Sequence, residues 1–201
     1  SVALQAGERT DEKFVAFIEE ALRAVHRMSV EEGIAEGCGI TLSFGEQTEE
    51  TYERWAQAAG NRSALRYLLR IETSNRALFD YLHSGKGGAQ KTWEARLESL
   101  ALLRRLGYQV GTGVMIGIPG QTSEDLVCDI RTFEALDADM LGMGPYLVSH
   151  GGDMVADGMM QKGPLLRLTR NMLSATRLAL PTVNIAAATA LETLVSGGRA
   201  L

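Results

Sequence analysis

Val110-Gly111-Thr112-Gly113-Val114-Met115-Ile116-Gly117-Ile118 is followed by Pro119-Gly120-Gln121-Thr122 and then by Ser123-Glu124-Asp125-Leu126. The first part is apolar and glycine-punctuated, as a buried strand would be, and Pro119-Gly120 turns the chain. Thr122, with Asp125 three residues on, has the spacing of a capping box. It opens a helix whose apolar positions are Leu126, Val127, Ile130, Phe133 and Leu136.

The same strand-then-helix unit recurs outward in both directions. Toward the N-terminus, Leu4-Gln5 precedes a helix over 11–28, and Ile40-Thr41-Leu42-Ser43-Phe44 precedes a helix capped by Thr48. A strand over 65–71 is followed by helices from Asn75 to His83 and from Trp93 to Leu106, with Gly107 as the stop. Toward the C-terminus, a strand over 140–148 leads to a helix with Pro164 at its first position, and Val183 to Thr189 forms the last strand. Six short apolar strands alternating with helices predict an α/β fold with a parallel sheet buried on both faces.

A closed eight-unit barrel uses ~250 residues, or ~31 per unit, so 201 residues supply about 6.5 units. The expectation is an incomplete TIM-type (β/α) barrel of about six parallel units in one domain over residues 1–201. A doubly wound open sheet shares the alternation and is the alternative. Ser1-Val2-Ala3 is already strand-like and lacks a starting methionine, which suggests a segment of something longer.

Composition removes several function classes. The chain has 20 basic and 25 acidic side chains, a net charge of −5 and no dense Lys/Arg block, so neither nucleic acid nor an anionic membrane is expected as a partner. Neither a membrane span nor a signal peptide is expected, and a reducing intracellular setting fits, cytoplasmic or plastid. Cys38 and Cys128 are too far apart for a disulfide framework, a zinc ribbon or a cluster motif. The 22 glycines, about 11% against a usual ~7%, favour tight turns and close backbone approaches.

In a parallel barrel the functional groups lie at the C-terminal strand ends. Those positions hold Gln5, Gly7 and Glu8; Thr41, Ser43 and Glu46; Arg70, Glu72 and Thr73; Thr112, Met115 and Gly117; Met143 and Tyr146; Asn184 and Thr189. This mixture suits a zwitterionic small molecule. Arg70 and Glu72, two apart, share a strand face and can clamp a carboxylate, hold an amine or neutralise each other. The glycines of 111–117 miss the dinucleotide spacing by one position, and Gly85-Lys86-Gly87 lacks the rest of a phosphate loop. His26, His83 and His150 are scattered, and no metal ligand is assigned.

Leu4-Gln5-Ala6-Gly7-Glu8, Leu68-Leu69-Arg70-Ile71-Glu72-Thr73 and Gly113 to Thr122 resemble radical S-adenosylmethionine (SAM) enzymes of the biotin synthase group, most of all the HydE-type maturases of FeFe-hydrogenase. Leu141 to Tyr146 and Asn184 to Ala190 continue the resemblance in order. It implies SAM as cofactor, with Gly7 and Glu8 at its amino group, and Glu72 and Arg96 at its ribose and carboxylate. Thr41 and Ser43 would lie beside it, and Met115, Gly117 and Ile118 against the adenine. The substrate would be a small organometallic or amino-acid-derived molecule, met by Gln5, Arg70, Met143 and Thr189, with Arg70 and Glu72 nearest the chemistry. Ala188 stands where the family has the first of two threonines.

The resemblance further implies a 4Fe-4S cluster held by Cys-x3-Cys-x2-Cys, which this segment does not contain, so its ligands are expected outside it. Partnership with the other hydrogenase maturases is implied too. A sister enzyme such as biotin synthase or methylornithine synthase, or a cluster-free barrel used as a binding module, are the alternatives.

Overall fold

The computed structural model describes residues 1–34, 37–83, 91–148, 158–186 and 188–198. The glycine-rich segment 84–88, His150, Gly151, Gly152, Met154 and Ala187 lie outside them. The chain forms two compact units, Ser1–Leu69 with Arg96–Gly111, and Arg70–Ala95 with Thr112–Leu201.

The first unit holds parallel strands β1 (Val2–Gln5), β2 (Ile40–Ser43), β3 (Leu65–Leu68) and β4 (Gln109–Thr112, as far as Gly111) in that order. Helices α1 (Glu12–Glu31) and α2 (Glu49–Ala58) connect them, and α4 (Trp93–Arg105) joins from Arg96 onward. Asp11 caps α1 by accepting from the Phe14 N–H, and Thr48 caps α2 by accepting from the Thr51 N–H. Phe14, Phe44, Tyr52, Trp55, Tyr67 and Tyr108 make one edge-to-face and stacked cluster, with centroids 5.1–6.5 Å apart.

The polar ends of that cluster are satisfied, as burial requires. Trp55 Nε1 donates to Val15 O at 3.1 Å, Tyr67 OH to Gly45 O at 2.8 Å and Tyr108 OH to Tyr52 O at 2.6 Å. Burial pushes the phenol pKa values of Tyr52, Tyr67 and Tyr108 up, so all three stay neutral, and the Tyr52 hydroxyl accepts from the Gln47 N–H at 3.0 Å.

The second unit contains two parallel pairs, β5 (Met115–Ile116) on β7 (Gly144–Pro145), and β6 (Met140–Gly142) on β8 (Asn184–Ala186). Around them stand α3 (Arg76–His83), α5 (Ser123–Ala135), α6 (Lys162–Ala179) and the short α7 (Thr189–Leu194). The Thr122–Asp125 capping box forms as expected. Helix α6 buries Leu165, Thr169, Met172 and Thr176, one stripe at helical spacing.

Four local expectations change. The strands expected over 110–118 and 140–148 each break in two, at Gly113-Val114 and at Met143. The cause is long-range: a Cβ on Gly113 would collide with the Gly142 carbonyl, so the two backbones meet there and re-pair beyond it. Pro164 is the third residue of α6, where a missing N–H is equally harmless. Thr189 opens α7 instead of ending a strand. Burial on both faces fails for β1 and β8, each paired with one strand among the described residues and largely exposed.

Candidate functional site

In the first unit, Gly7 and Glu8 follow β1 directly. The Glu8 side chain lies over Gly45, whose positive φ of 74° and missing Cβ leave the space it occupies. The Gly45 carbonyl is held by Tyr67 OH, so the turn under Glu8 is anchored to the aromatic core. On β2, Thr41 and Ser43 alternate with buried Ile40 and Leu42 and are half-buried. Gln5, exposed on β1, is the register partner of Ser43.

Arg96 is 3% exposed, and its Nε donates to Glu46 Oε1 at 2.5 Å. The arginine therefore sits inside the unit, and its carboxylate partner follows Gly45, the residue over which the Glu8 side chain lies. Glu46 is a residue that sequence reasoning noted at a strand end and gave no role. Its signal was Arg96, which falls on the stripe of Trp93, Leu100 and Leu103 at helical spacing and so demands a buried partner.

In the second unit, Arg70 Nη2 stands 3.1 Å from Glu72 Oε2. The two do not share a strand face, because β3 ends at Leu68 and Glu72 takes a left-handed conformation, φ 62°. Such a backbone at a non-glycine residue needs over-determination by its surroundings. Glu72 has it: its N–H donates to Gly113 O at 3.0 Å, and its carbonyl accepts from Met115 N at 2.9 Å. The Oε2 atom is buried and ion-paired with the Arg70 guanidinium, so the carboxylate is held in one orientation.

Met115 to Ile118 is bound by Gln121. Its Oε1 accepts from the Gly117 and Ile118 N–H groups at 2.7 and 3.3 Å, and its Nε2 donates to Met115 O at 3.1 Å. Gly117 has φ 83°, and a Cβ there would strike Leu165 of α6, so its missing side chain makes room for that leucine. Gln121 escaped sequence reasoning, since one glutamine in a Pro-Gly turn carries no periodic signal.

Met143 is buried, receives the Thr176 hydroxyl at 3.7 Å and lines an apolar cavity of about 530 Å³ with Leu173, Leu178, Ile185, Ala188 and Leu191. Thr189 is exposed and does not line that cavity. Arg177 also lines the cavity, but no carboxylate among the described residues does, so the charge pair around Glu72 has no counterpart there.

Cys38 is half-buried, Cys128 is exposed, and both are free thiols. Among the described residues no three His, Cys, Asp or Glu side chains are placed to hold a metal ion, and no helix is long and apolar enough to cross a membrane. The described residues therefore do not fit an iron-sulfur cluster, whereas the oriented Glu72 carboxylate fits a hydroxyl-bearing ligand.

A scan against descriptions of known protein families finds no match. The [FeFe] hydrogenase maturase subunit HydE of Thermotoga maritima is 41% identical over 163 residues, which is 81% of this chain and 43% of that protein. The chain thus spans less than half the length of that relative. Among solved structures, methylornithine synthase (PylB) superposes on 96% of this chain and 52% of its own, with a TM-score of 0.67 at 17% identity. SuiB of Streptococcus suis, bound to S-adenosylmethionine, covers 84% of this chain and 35% of its own, with a TM-score of 0.61 at 13% identity. These likenesses show the fold class, the parallel (β/α) barrel of radical SAM enzymes, present here in part.

Proposed function

Because the chain is a HydE homologue with the radical SAM barrel fold, we propose that it is the core of a HydE-like enzyme that uses SAM in maturation of the FeFe-hydrogenase active site. The observation that carries this reading is the Glu72 carboxylate, set on a strained, doubly bonded backbone with its Oε2 buried and oriented by the Arg70 ion pair. Such an acceptor suits the ribose hydroxyls of SAM. Glu8 takes the cationic amino group, Arg96 the carboxylate end, Thr41 and Ser43 the polar flank, and the Met115–Ile118 backbone the adenine.

SAM, on one-electron reduction of its sulfonium, supplies a 5′-deoxyadenosyl radical. The residues here bind and orient SAM. A 4Fe-4S cluster has no ligand set among the described residues. Arg70 faces a substrate carboxylate, an organometallic or amino-acid-derived molecule, with Gln5, Met143 and Thr189 as further contacts. Partnership with other hydrogenase maturases and an intracellular, cytoplasmic setting complete the proposal.

The test is SAM binding, measured calorimetrically on the full-length protein with its cluster reconstituted. Glu72→Ala removes a charged acceptor and should weaken SAM binding by about 10- to 100-fold. Unchanged affinity takes Glu72 out of the site. A full-length sequence without Cys-x3-Cys-x2-Cys turns the reading to a cluster-free binding module. Arg70→Ala should change substrate turnover and leave SAM affinity within about 2-fold.

A further inference from the structure

We propose that Asp129 is a positioning residue: from α5 it holds the backbone just beyond Glu72, through Ser74, and so sets where the Glu72 carboxylate stands. The inference rests on the reading of Glu72 as a SAM ligand.

Asp129 is fully buried, with 0% exposure, on the Leu126 and Phe133 face of α5. Its Oδ1 accepts from the Ser74 N–H at 2.6 Å, while its buried Oδ2 has no hydrogen-bond partner among the described residues. One turn earlier, Asp125 accepts from Asn75 Nδ2 at 2.9 Å, and its carbonyl accepts from the Ser74 hydroxyl at 3.4 Å. Three bonds from two consecutive residues thus tie the segment after Glu72 to one helix. A carboxylate is a costly acceptor to bury where an amide would serve. It is also the acceptor that binds a backbone N–H most strongly.

The bonds close a circuit. The Glu72 carbonyl accepts from Met115 N, the Met115 carbonyl accepts from Gln121 Nε2, and Gln121 leads through the Thr122–Asp125 box into α5. Asp129 then returns to Ser74, two residues past Glu72. The residue in the strained conformation is fixed from both sides, on its own peptide by Gly113 and Met115 and downstream by Asp129. Opening the circuit at Asp129 removes the one bond of the three that holds a backbone N–H, and so loosens the side that Met115 does not hold.

The experiment compares Asp129→Ala, Asp129→Asn, Phe133→Leu and Glu72→Ala in the full-length, cluster-reconstituted protein. SAM affinity and melting temperature are read on each, and amide hydrogen exchange at Ser74 is read on the wild type. Asp129→Ala should weaken SAM binding about 10-fold, and Asp129→Asn, which keeps an Oδ1 acceptor, should restore it to within about 3-fold. Phe133→Leu, a core change on the same helix, should lower the melting temperature without moving SAM affinity. The Ser74 amide should exchange slowly.

Wild-type affinity in Asp129→Ala, failure of a folded Asp129→Asn to restore binding, or equal weakening by Phe133→Leu overturns the proposal. If Asp129→Ala does not fold, a fast-exchanging Ser74 amide overturns it and a protected one, together with rescue by Asn, upholds it. Unchanged SAM affinity in Glu72→Ala instead overturns the reading beneath it, so the two failures are told apart.

Discussion

Arg96 donates its Nε to the Glu46 carboxylate across 50 residues of sequence, with its guanidinium side chain 4% exposed and Glu46 23% exposed. A buried guanidinium left beside a neutral partner keeps the desolvation cost and loses the compensation. Glu46→Gln should therefore destabilise the protein by about 1–3 kcal/mol in urea unfolding, less than outright removal because Gln keeps one acceptor oxygen. The exposed pair of Arg54 with Glu12 is the internal control, since Glu12→Gln should leave unfolding unchanged. Equal effects at the two sites would mean that the burial of Arg96 has no energetic weight.

Glu72 offers a separation of stability from function. Its φ of 62° costs an L-residue about 1–3 kcal/mol and costs glycine nothing. Glu72→Gly relieves that strain and adds chain entropy to the unfolded state, so stability should hold or rise by up to about 1 kcal/mol. SAM affinity should fall with the carboxylate. A variant that loses both in step would show that the carboxylate, not the backbone, stabilises this segment.

Much of the scaffold is legible in sequence because its signals are local. Thr48 and the Thr122–Asp125 pair cap the helices where their spacing puts them, whereas Asp11, expected inside its helix, caps it. The breaks at Gly113 and Met143 are not legible, because they arise where Gly113 meets Gly142, a contact that no window of neighbours contains. The charged residues fall between these cases. Arg96 among Trp93, Leu100 and Leu103, and Asp129 between Leu126 and Phe133, interrupt apolar stripes at helical spacing. A charge on such a stripe announces a buried polar contact, while its partners, Glu46 and Ser74, are visible only in three dimensions.

Asp129 should leave a signature in the pH dependence of stability. Burial is the main cause that pushes its carboxyl up to about 6, with the neighbouring Asp125 charge adding to it and the Ser74 bonds opposing it. A raised carboxyl pKa favours the neutral form in the fold. That contribution is full below the unfolded value of 3.8 and is lost as pH rises through 6. The difference of about 2 units, at 1.36 kcal/mol each, is roughly 3 kcal/mol. Wild type should gain about that much over Asp129→Asn as pH falls from 7 to 4, read as the difference in unfolding free energy. A pH-independent difference would mean that Asp129 is as well solvated folded as unfolded.

Gly45 tests whether the turn beneath Glu8 positions that carboxylate. A methyl group at this position meets the Glu8 side chain and also suffers the positive φ of 74°. The backbone is fixed from below by Tyr67 OH on the Gly45 carbonyl, so the exposed Glu8 side chain is the group that gives way. Gly45→Ala should cost about 1–2 kcal/mol of stability, the price of an L-residue in the left-handed region. It should also weaken SAM binding by about as much as Glu8→Ala does, because both remove the carboxylate from the same place. The double variant should then bind no worse than Glu8→Ala alone. Additive losses in the double variant would place Gly45 and Glu8 in separate roles, and an unaffected SAM affinity in Glu8→Ala would remove the turn from the site.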